Sequence, residues 1–131
     1  MKKDIHIPEP KNVCIAIALE NEEFNEWKAY ILNLNEEEIK NVMITSTGKS
    51  PEGNATSTLR HFIEVINPNT AIPFEIVTDE LLQIHNNFFV TYYLQNLIHD
   101  FEAIFLANSH DHDSLELIPI LNKRGVVFFR A

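Results

Sequence analysis

Between residues 12 and 47 the apolar side chains fall on every second position: Val13, Ile15, Ile17 and Leu19, then Tyr30, Leu32 and Leu34, then Val42 and Ile44. An extended chain turns successive side chains to opposite sides, so this spacing is that of half-buried strands. Strands are expected at about 12–19, 26–34 and 39–47, paired in chain order as an antiparallel meander.

Past Ser57 the spacing changes. Leu59, Phe62, Ile63 and Ile66 stand at i, i+3, i+4 and i+7, with Arg60, His61 and Glu64 on the other side. This predicts an amphipathic helix over about 57–66, capped by Ser57 or Thr58 and stopped near Pro68. A strand there would put Arg60, Phe62 and Glu64 on one face, a poorer segregation.

Beyond Pro68, a strand is expected over 71–77, with Pro73 marking an edge, then a short helix from Thr78-Asp79-Glu80 through Ile84. Aromatic and branched residues make strands of 88–94 and 101–106, joined as a hairpin through 95–100. Ser114 would cap one further turn before Pro119, and a last strand covers Val126 to Phe129. Thr47 to Thr56 reads as an exposed loop, and the arm at 3–11, with Pro8 and Pro10, as at most an edge strand. The sum is a single α+β domain, 1–131: an antiparallel sheet of about six to eight strands with one main helix on one face. Phe88, Phe89, Tyr92 and Tyr93 put large apolar groups on both sides of one strand, so the second face needs cover from curvature or from a partner subunit. A homodimer through that apolar sheet surface is expected.

A chain of 131 residues, 45% hydrophobic and 22% charged, has the composition of one globular domain, and no apolar run nears the ~20 residues that span a bilayer. The start, Met1-Lys2-Lys3-Asp4, lacks the apolar stretch of a signal peptide, which places the chain in the cytoplasm. Cys14, the single cysteine, lies within a strand as a small hydrophobe. The formal charge of −9 disfavours nucleic acid and anionic membrane surfaces as partners.

Two groups of residues have the types a ligand site needs. Lys49, Ser57, Thr58, Arg60 and His61 surround the expected helix start, where backbone N–H groups favour an anion. His110, Asp111, His112 and Asp113 offer four potential metal ligands in a polar loop, two histidines without a defined third ligand. Thr47-Gly48-Lys49-Ser50 lacks the earlier glycine of a phosphate loop, that place being Met43, and three glycines exclude a dinucleotide turn, so no cofactor is expected. His61, His85 and His99 have no serine or cysteine nucleophile at a recognisable spacing. The expected role is a non-enzymatic cytoplasmic binding or protein-interaction domain. The alternative is a binder or enzyme for an anionic small molecule at Ser57 to His61.

Thr56-Ser57-Thr58-Leu59-Arg60-His61, Asn86-Asn87-Phe88-Phe89-Val90-Thr91-Tyr92-Tyr93 and Lys123-Arg124-Gly125-Val126-Val127 together resemble a group of small uncharacterised bacterial proteins of about this length. Some of these carry the label of a phenylalanyl-tRNA synthetase alpha subunit. The resemblance spans most of the chain and implies a self-contained domain. It brings no active-site residues, because the shared segments are not motifs of known chemistry and no class II aminoacylation motif occurs in the chain.

Overall fold

The structure, a computed structural model, describes residues 12–110 and 115–128. The expected arm at 3–11, the cap at Ser114, the ligands Asp111, His112 and Asp113, and Phe129 lie outside the described residues. The chain runs β1 (Val13–Asn21), β2 (Glu26–Asn33), β3 (Ile39–Lys49), β4 (Leu59–Ile66), β5 (Thr70–Val77), α1 (Asp79–Leu82), β6 (His85–Leu94), β7 (Leu97–Phe105), β8 (Glu116–Ile118) and β9 (Lys123–Phe128). The strands form two antiparallel sheets, one in the order β5-β2-β1-β9-β8 and the other β4-β3-β6-β7.

The sheets pack face to face. Ile15, Ile17, Trp27 and Ile31 of the five-stranded sheet meet Ile44, Phe88, Val90 and Phe105 of the four-stranded one in a single buried cluster. The α+β expectation is therefore overturned: the domain is a β-sandwich, and its one described helix has four residues. Thr78 caps that helix as its sequence suggests, its Oγ1 accepting from the Leu81 N–H at 3.2 Å.

The expected main helix at 57–66 is strand β4, paired with β3 in unbroken register from Ile39↔Ile66 to Ser46↔Leu59. The helical spacing has a β origin. Asn41, opposite Glu64, adopts φ 49°, and the register of β3 against β6 shifts between Lys40 and Met43. At this bulge the strand rotates, so Ile39 and Val42, three apart, are both buried. Their partners Ile66 and Ile63 inherit the same spacing, which counts as i, i+3. The rest of the supposed stripe, Leu59 and Phe62, is exposed.

The meander also fails after its second strand. β1 and β2 pair as the alternation requires, but β3 crosses to the other sheet. Asn33 fixes the crossing: fully buried, it donates through Nδ2 to the carbonyls of Glu37, Ile66 and Asn67 and accepts at Oδ1 from the backbone N–H and the side chain of Asn35. One side-chain amide thus satisfies carbonyls of both connections between the sheets, β2 to β3 and β4 to β5. The hairpin between β6 and β7 is tighter than 95–100, since Gln95 and Asn96, at φ 52° and 65°, make the whole turn. At Gly125, in β9 between β1 and β8, an added Cβ would lie 2.1 Å from the Ile17 carbonyl oxygen, so only glycine lets these strands approach.

Candidate functional site

The five residues expected around a helix start do not converge. Lys49 ends β3 and is exposed; Ser57 and Thr58 lie in the loop before β4, where the Thr58 hydroxyl sits 3.1 Å from that of Thr47. In β4, neighbouring residues point to opposite sides, which sends Arg60 outward and His61 inward. With no helix, the convergent N–H groups of a helix start are not formed there.

His61 instead belongs to a polar cluster between the sheets that its own sequence neighbours do not announce. Its Nε2 lies 2.9 Å from Glu75 Oε1, and the Ser46 hydroxyl donates to the same oxygen at 2.7 Å. Glu75 reaches inward because β5 carries an irregularity: Ala29 faces Glu75 while Tyr30 faces Pro73, and the surplus Phe74 packs its ring against His61 and Phe88. The Glu75 side chain is only 11% exposed and that of His61 24%. A serine, a histidine and a carboxylate thus meet, but the carboxylate stands in the middle. The Ser46 proton is directed to Glu75 and not to the imidazole, so the three side chains do not form the serine–histidine–carboxylate relay. The cluster ties the edge of one sheet to the edge of the other.

Of the four expected metal ligands, His110 is described. Its ring packs edge-on to Trp27 at 5.6 Å between centroids, its Nε2 is 4.0 Å from Asp79 Oδ1, and its buried Nδ1 has no hydrogen-bond partner. No group of three metal-ligating side chains occurs among the described residues. Beside it, Asn25, at φ 53°, accepts from the Trp27 indole N–H at 3.0 Å and donates to Asp79 at 2.8 Å, closing the turn between β1 and β2 against the end of β5. A groove of about 400 Å³ opens here, with the exposed Phe24 and Ile76 on its walls. Its acids Glu20, Glu26 and Asp79 outnumber its one lysine, Lys28, which disfavours an anion there.

Glu20 is itself engaged. It accepts from Lys123 Nζ at 2.8 Å and from the Tyr30 hydroxyl at 2.9 Å, and Lys123 also donates to that hydroxyl at 3.1 Å. The hydrogen bond to Glu20 holds the Lys123 ammonium above its ordinary pKa, and burial raises Tyr30. Burial also pushes the Cys14 thiol up to about 12, which removes the thiolate that a nucleophile would need.

The outer surface of the four-stranded sheet is the largest feature that none of this explains. Phe62 stands opposite Met43 across β4 and β3; Phe89 follows on β6, and Tyr93 faces Ile98 across β6 and β7. Phe62 is 58%, Phe89 45% and Ile98 63% exposed. The charges Arg60, Glu64, Asp100 and Glu102 are interspersed along the outer strands, β4 and β7. The doubled aromatics at 88–89 and 92–93 point to this surface, whereas Phe62 and Met43 were hidden by the helical reading of 57–66. The sequence signal that finds them is the mixture Arg60-x-Phe62-x-Glu64, poor as one face of a buried strand and ordinary as the outer face of an edge strand. Among the described residues no helix is long and apolar enough to cross a membrane. Comparison of the chain with protein-family models, with curated proteins and with solved structures finds no match.

Proposed function

We propose that the chain is a non-enzymatic interaction domain of the cytoplasm that associates with a second copy of itself through its four-stranded sheet, whose outer surface is apolar. The observation that carries this reading is the exposure of Phe62, Met43, Phe89, Tyr93 and Ile98 on one side of one sheet. Single exposed apolar residues are ordinary, but five on one side of one sheet, with Phe62 facing Met43 and Tyr93 facing Ile98, single out that sheet for contact. The side-chain chemistry supports the same reading, since Ser46 is turned toward Glu75 and Cys14 is buried and protonated. The compartment rests on composition: an acidic chain with one buried, unpaired thiol.

Sedimentation velocity tests the reading. The chain of 15.1 kDa is expected to sediment as a dimer, and Phe62→Asp, which sets a carboxylate in the apolar surface, is expected to give a monomer with an unchanged far-ultraviolet circular dichroism spectrum. A wild-type chain that stays monomeric at every concentration contradicts it.

A further inference from the structure

The two sheets have four edges, and three of them carry features that discourage a further strand. β5 contains Pro73 and a bulge, β8 has three residues, and β7 sets Asp100 and Glu102 on its outer side. If β7 paired with its own copy about Phe101, Asp100 would face Glu102 of the second copy, like charge against like. β4 also carries outer charges, Arg60 and Glu64, but these are of opposite sign. It runs eight residues without proline, keeps unbroken register with β3 and has no second strand beside it among the described residues.

Its sequence is also complementary to itself. A sheet continues across an antiparallel pair only if outer residues face outer residues. Centring such a pair on Phe62 sets the exposed, outward Phe62 against its own copy. The same register sets Arg60 against Glu64, twice, once on each side of the two-fold axis. Both charges point outward, and neither makes an ion pair among the described residues. We infer that two copies join through β4, antiparallel about Phe62, with reciprocal Arg60–Glu64 pairs flanking the axis.

This rests on the self-association proposed above and fixes its geometry. The four-stranded sheets become one eight-stranded sheet, and because the axis runs perpendicular to it, the outer faces of both copies lie on the same side. Phe89 and Ile98, two and three strands from the axis, stay uncovered in the dimer.

Charge reversal separates this arrangement from a face-to-face stack. Arg60→Glu and Glu64→Arg each convert both attractive pairs into repulsive ones and are expected to weaken the dimer by roughly tenfold. The double variant Arg60→Glu/Glu64→Arg restores opposite charges across the axis and recovers wild-type association, and so does an equimolar mixture of the two single variants. Phe89→Asp is expected to leave the dimer intact. Sedimentation equilibrium reads all five samples, with thermal unfolding as the folding control. A dimer indifferent to the reversals, or one lost on Phe89→Asp, overturns the β4 pairing and leaves self-association standing. A monomeric wild-type chain overturns both.

Discussion

Glu75 is the residue whose role depends most on its surroundings. Its carboxylate is almost enclosed between the sheets and receives Ser46 and His61 on one oxygen. Glu75→Ala leaves both partners with an unmet polar atom in a closed space, and an unfolding free energy about 2 kcal/mol lower is expected by urea denaturation. Glu75→Gln, which keeps an acceptor oxygen, is expected to lose less. No reading of the sequence singles out Glu75, because it lies in a strand whose alternation is broken by the bulge at Phe74. His61 was legible as a polar residue that must be explained, but its partner is fourteen positions away and in the other sheet. Buried polar contacts of this kind are fixed by tertiary packing, which local spacing does not encode.

The strands whose alternation is regular were legible as elements: β1 and β2 follow it closely, and the turn residues between β3 and β4 fall where the loop lies. β4 was not legible, and the cause lies on a different strand. The left-handed Asn41 of β3 rotates the ladder so that Ile63 and Ile66 are both turned inward, and a spacing of three imitates a helix. This account makes Asn41 the residue that sets the twist. Asn41→Ala forces a Cβ-bearing residue without a local hydrogen-bonding side chain into φ > 0 and is expected to cost about 1 kcal/mol in a thermal or urea melt, whereas Asn41→Gly is expected to cost little or nothing. Equal losses in both variants would show that the side chain, not the backbone conformation, matters there. Arg60, exposed on the same ladder, is expected to change stability by less than about 0.5 kcal/mol when replaced by alanine in the monomer. The crossing of β3 to the second sheet was equally hidden, since Asn33 achieves it by bonding Ile66 and Asn67, far along the chain.

At the scale of the molecule, the perturbed groups among the described residues all move in one direction. Burial raises Cys14 and Tyr92 each to about 12, burial also raises Tyr30, and the hydrogen bond that Lys123 donates to Glu20 raises Lys123. The native protein therefore keeps protons that the unfolded chain releases near ordinary values of ~8.5 for cysteine and ~10 for tyrosine and lysine. Above those values the unfolded state binds fewer protons, so stability, complete below about pH 8.5, falls as the pH rises toward 12. Urea midpoints measured from pH 8 to 11 are expected to decline, and Cys14→Ala is expected to delay the onset of that decline toward about pH 10. Flat midpoints would contradict the burial of these groups.

The association itself is read most directly by hydrogen exchange of the backbone amides at two protein concentrations, one well below and one well above the dissociation constant. The amides of Arg60 to Val65 that face away from β3 are expected to slow at the higher concentration, while those at the outer edges of β5 and β7 exchange at the same rate in both. Exchange in β4 that does not depend on concentration would contradict a second copy bound along that strand.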